Sequence, residues 1–164
     1  MYFQEFDNLK NAFNKVKLEL IPAVYNQINT LYENSNNLGD EEQNQQLFSI
    51  ITVKFKSDVD TVLRLVDHLL FPVIEEIIGG ITNEHQIQSF DMLRMYHQRC
   101  VLNISELRLL CNNYITDTKW SHTKRKVCLN LYQTEHSLLV YINFMENSIF
   151  PFLISSKDAH PIAK

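Results

Sequence analysis

The stretch FSIITVKFKSDVDTVLRLVDHLLFPVIEEI, residues 48–77, decides the fold class. Phe48, Ile51, Phe55, Val59, Val62, Val66, Leu69, Val73 and Ile77 recur in it at steps of about three and four. An α-helix completes a turn every 3.6 residues, so these side chains fall on one face. Between them stand Lys, Arg, Asp and Ser, the composition of a solvated opposite face. The pattern predicts one helix, longer than helices usually are. Such lengths are typical of bundles whose helices are joined by short loops.

The same rhythm extends on both sides. Before it, Phe6, Leu9, Phe13, Val16, Leu20, Val24, Ile28 and Leu31 form a stripe. After it come Ile87, Phe90, Leu93, His97, Val101, Ile104, Leu107, Cys111 and Tyr114, then Val127, Leu131, Thr134, Leu138, Tyr141, Met145, Ile149 and Phe152. Breaks separate the four stripes. Asn34–Asp40 is a polar turn, Gly79-Gly80 with Thr82 and Asn83 ends one helix and caps the next, and Thr116–Ser121 is the third connection. The fold class expected is all-α, an up-down-up-down four-helix bundle. Residues 1–164 form one domain, with a frayed tail over 155–164.

Composition narrows the function classes. The chain of 164 residues is 45% hydrophobic, with 3 Gly, 4 Pro and a net charge of −4. That size buries a proper core, and that charge argues against a general nucleic-acid surface. The densest basic run, Lys119, Lys124, Arg125 and Lys126, reads as a solvated loop and helix start. No basic leader followed by an apolar run opens the chain. No uncharged apolar run reaches the roughly 18 residues of a membrane span; the longest candidate, Leu69–Ile81, holds Glu75 and Glu76. Cys100, Cys111 and Cys128 make no CxxC pair and fit reduced thiols. The expectation is a cytoplasmic protein with no membrane contact.

Prolines punctuate the helices. Pro22, Pro72 and Pro151 each should kink a helix or end its regular part. Two of these sites resemble each other: VDHLLFPVI from Val66 and MENSIFPFL from Met145. Each carries an acidic residue five positions before the proline and a phenylalanine just before it.

These endings resemble the E-x-x-x-L-F-P endings of the hemerythrin-like domain in the di-iron iron–sulfur-cluster-repair proteins. The likeness covers nearly the whole chain. LELIPAV in the first helix carries the family's proline, and HQRCVLNISELRLLCNNY from His97 is similar to its third helix. The family's site takes histidines from all four helices and a glutamate from each of two H-x-x-x-E motifs. Carried over by position, the third helix's histidine is His97. The fourth helix has Tyr141 in place of histidine and Met145 in place of glutamate; the second has Val62 and Val66. The first helix's histidine falls on or near Asn14, and a further one around Ser35. Only His97 remains. Independently of the family, neither E-x-x-H nor H-x-x-x-E occurs in the chain. A bundle di-iron site without inward carboxylates is chemically implausible. Glu146 and Asp67 lie one residue past the glutamate positions, which turns them about 100° away.

The resemblance thus implies a former metal layer, His97, Tyr141, Met145, Val62, Val66 and Asn14, repacked as core. No cofactor and no metal are expected. His97 reads as a neutral core histidine with Tyr141 as its natural partner. His68, His85, His122 and His136 read as surface residues, and His160 belongs to the tail. No nucleophile–base pair, phosphate loop or zinc spacing appears, so no enzyme is expected. The leading expectation is a non-catalytic interaction or sensory module, with an unknown protein or a second copy as partner. An exposed apolar patch would favour it. The alternatives are an iron-binding stress protein with an altered site and small-molecule binding in the emptied cavity.

Overall fold

The computed structural model describes residues 2–39, 42–79 and 89–158. Four long helices account for most of them: α1 (residues 2–34), α2 (42–78), α3 (89–110) and α4 (122–158). No strand occurs among the described residues. α2 packs on α3 and α1 on α4, and further contacts of α1 with α2 and of α3 with α4 close the ring. The core lies inside that ring. Most of the stripes read from periodicity line it: Val24, Ile28 and Leu31 of α1, Phe48, Phe55 and Val59 of α2, Leu93, Ile104 and Leu107 of α3, and Leu131 and Leu138 of α4 are buried. Leu69, however, is exposed and Leu70 is buried in its place, where a π turn at Val66–Leu70 shifts the phase of α2. Each such side chain contributes about 1.5–3 kcal/mol over its exposed state.

The prolines neither end the helices nor sharply break them. Proline lacks an N–H, and its ring collides with the carbonyl four residues back. Each helix answers by opening one turn to the π form, at Val16–Leu20, Val66–Leu70 and Met145–Ile149. The Ile21 N–H then donates to the Val16 carbonyl, that of Phe71 to Val66, and that of Phe150 to Met145. Each reaches five residues back instead of four. Every π turn begins six residues before its proline, so three helices carry one device in one register. The first residue of each, Val16, Val66 and Met145, is buried.

The connections are built from side-chain caps. Ser35 Oγ donates to the Tyr32 carbonyl at 2.8 Å, and Gln45 Nε2 and Ser49 Oγ both donate to the Ser35 carbonyl. Gly39 adopts φ +71, a conformation that favours glycine. Ser121 caps α4 by accepting the Lys124 N–H at 3.1 Å. Between α3 and α4, Asn112, Asn113 and Tyr114 all lie at positive φ, 49, 51 and 65. Asparagine tolerates this region; Tyr114 is held there by a bond described below. Gly80, Thr82, Asn83, His85, Ile87 and His160 lie outside the described residues. Of the expected frayed tail over 155–164, residues 155–158 continue α4, and no Gly or Pro interrupts them; the rest lies outside the described residues.

Over residues 122–154, α4 is by length and composition apolar enough to cross a membrane, yet only 33% of its most apolar window is buried. Glu146 interrupts this run, so no uncharged segment marks it in the sequence. Apolar residues in α1 and α2 gather on one face. In α3 and over 122–144 of α4 they are spread around the axis.

Candidate functional site

The layer of interest is set by the π turns. Val16, Val66 and Met145, which open these turns, are all buried in the core. One α-turn earlier stand Val62 on α2 and Tyr141 on α4, again in equal register, ten residues before their prolines. Both are buried. α3 has no proline and no π turn, and supplies His97, which is 2% exposed.

His97 Nε2 lies 3.1 Å from the Tyr141 hydroxyl, and the two rings meet edge to face with centroids 5.3 Å apart. The Phe150 ring tilts against the imidazole at 6.2 Å. His97 Nδ1 is buried without a hydrogen-bond partner. Burial, helped by the charge of Arg94, lowers the His97 pKa from 6.5 to about 4. The ring is therefore neutral near pH 7. Burial, with a smaller contribution from Cys100, raises the Tyr141 pKa, so the phenol keeps its proton. Cys100 is pushed up to about 12, mainly by burial, with Asp58 adding to it and Arg99 opposing it. Its thiolate, the reactive form, is absent near pH 7. The layer holds one neutral imidazole, one phenol and one thiol within apolar walls.

Asn14 does not belong to this layer. It is exposed. On α1 it is Val16, at the head of the π turn, that turns inward and is buried. Two positions of helix separate Asn14 from Val16, and that rotation of about 200° turns Asn14 outward. Ser35 is buried, but its bonds serve the first connection. Glu146 sits on the α3-facing flank of α4, with an oxygen 3.3 Å from Arg94 Nη2, and Asp67 is exposed. His68, His122 and His136 are exposed.

Two buried carboxylates escape the periodicity reading. Asp58 of α2 is 3% exposed; Arg99 Nη2 and Asn103 Nδ2 of α3 each donate to it at 2.7 Å. Glu135 of α4 accepts from Arg108 Nη1 of α3 at 2.9 Å and from the Tyr114 hydroxyl. Burial first, then that bond, raises the Tyr114 pKa. Each carboxylate ties α3 to a neighbouring helix. The partners lie far away in sequence, but Asp58 sits three residues after Phe55 and four before Val62, on the apolar stripe itself. That placement was the available signal. Asp58→Ala is expected to cost about 2 kcal/mol in urea unfolding, since it strands the buried Asn103 amide and a half-exposed Arg99. An unchanged urea midpoint would show that the clamp carries no stability. At the α3–α4 end, the sulfurs of Cys111 and Cys128 lie 2.6 Å apart.

These donors do not fit a di-iron centre. Such a centre needs bridging carboxylates and several histidines facing one another, and the inward residues at those places are Val62, Val66, Met145 and Tyr141. Asp58 and Glu135 are committed to their clamps. Among the described residues, no group of three or more His, Cys, Asp or Glu is placed to hold a metal ion. Two surface grooves, of about 430 and 370 Å³, are lined by none of the layer residues. No protein-family model, curated protein or solved structure matches the chain.

Proposed function

We propose that this protein is a non-catalytic interaction module, an up-down bundle of hemerythrin-like type whose metal layer has become core. The observation that carries the reading is the shared register of Val62 with Tyr141 and of Val66 with Met145. Apolar or phenolic side chains occupy both pairs of positions where the resemblance expects a histidine and a glutamate, and all four are buried. A carboxylate there without metal would be buried and unpaired, whereas Val and Met close the space at no such cost. His97 then serves packing and a hydrogen bond to Tyr141. What the bundle offers a partner is its surface, in a cytoplasmic setting.

Elemental analysis of the protein purified from iron-supplemented cells tests this. The expected result is far less than one iron per chain, unaffected by His97→Gln. Stoichiometric iron that disappears in that variant would overturn the reading in favour of an altered metal site.

A further inference from the structure

α3 and α4 each carry a second apolar stripe that the core does not use. On α3 it holds Leu102 and Leu109, 64% and 66% exposed, with Glu106 between them; on α4 it holds Tyr132 and Leu139, also exposed, with His136 between them. The two helices run antiparallel, since Arg94 meets Glu146, His97 meets Tyr141 and Arg108 meets Glu135. Residue numbers in these pairs rise on one helix as they fall on the other. By that register Leu102 stands level with Leu139, Glu106 with His136, and Leu109 with Tyr132. A groove of about 430 Å³ follows the α4 stripe, with Tyr132, His136 and Leu139 in its wall.

We infer that this face binds a second copy of the chain about a two-fold axis parallel to α3 and α4. That rotation lays the α3 of one copy along the α4 groove of the other, antiparallel. Spacings of four and three along Leu102, Glu106 and Leu109 then mesh with spacings of three and four along Leu139, His136 and Tyr132. An isologous interface must match itself, and this one does. Each Glu106 faces the other copy's His136, twice over, while leucines face leucine and tyrosine. An axis across the helices would instead set Glu106 against Glu106. The pairing of Glu106 with His136 therefore selects both the partner and its orientation. The surplus apolarity of α4 is covered by the same contact. This inference rests on reading the chain as an interaction module.

Sedimentation equilibrium of the full-length protein, with two charge variants, tests it. Wild type is expected to sediment at twice the chain mass in the micromolar range. Leu102→Glu with Leu109→Glu is expected to be monomeric with unchanged helicity. Glu106→Lys sets lysine against histidine and His136→Glu sets glutamate against glutamate, so each alone is expected to weaken the dimer at least tenfold. Mixed together, the two variants are expected to pair with near wild-type affinity, because the introduced lysine of one chain then meets the introduced glutamate of the other. A purely intrachain role for either residue gives no such rescue. A monomeric wild type, a dimer indifferent to the leucine changes, or no rescue on mixing each overturns the proposal. So does a monomer that co-sediments with phospholipid vesicles, which would give this face to a membrane. A monomer without iron would sink this inference and leave the module reading standing. Stoichiometric iron would sink that reading whatever the mass.

Discussion

Met145→Glu is expected to destabilise the bundle by about 3–5 kcal/mol, lowering the melting temperature by roughly 10 °C. The substitution restores the residue type that the resemblance places at the head of the α4 π turn. Met145 is 0% exposed, one turn after Tyr141 and in register with Val66. Arg94 is already paired with Glu146 on the flank, and His97 is neutral. The new side chain must either stay charged without a partner or take up a proton, and both states are costly in an apolar layer. Met145→Leu keeps the volume and is the control, expected to cost under about 1.5 kcal/mol. Thermal unfolding by circular dichroism measures all three proteins. If Met145→Glu melted with the wild type, the layer would have to be open to water rather than packed. A rise in its melting temperature on adding ferrous iron would mean that the layer can hold a metal ion.

The helices and their inward faces were legible because a stripe at helical spacing is a local property of the sequence. Phe48 to Val66 needs no partner to be read as one face; past Val66 the π turn shifts the phase, and Leu70 rather than Leu69 is buried. The π turns were half-legible. The prolines announce a disturbance, but whether a helix ends, kinks or opens a turn depends on what its next residues pack against. At Phe71 and Phe150 they pack into the core, so the helix continues. Asn14 stands off the apolar stripe that runs through Phe13 and Val16, both buried. Asp58 and Glu135 were harder still, because a buried carboxylate is explained only by its partners, Arg99 and Asn103 or Arg108 and Tyr114, which folding brings in from other helices. The left-handed run Asn112–Tyr114 has two tolerant asparagines as its signal, but the tyrosine is held there by Glu135, 21 residues away.

His97 gives the bundle an acid sensitivity whose size and window follow from its burial. In the unfolded chain the imidazole binds a proton below about pH 6.5; in the folded protein it does so only below about 4. Between these values the unfolded state holds more protons, so folding stability falls as pH falls. The effect is absent above about pH 6.5, grows through the window and levels off below about 4. Its full extent is on the order of 3 kcal/mol. The wild type alone does not isolate the contribution of His97. His97→Gln does: glutamine still reaches the Tyr141 hydroxyl but does not titrate. Urea unfolding of both proteins at pH 7.5, 6, 5 and 4 is the measurement. The advantage of wild type over the variant is expected to be largest at pH 7.5 and to shrink by roughly 3 kcal/mol by pH 4. A difference that stays constant over this range would mean that the imidazole is solvated in the folded state. His97 would then be no part of a packed layer with Tyr141, Val62, Val66 and Met145.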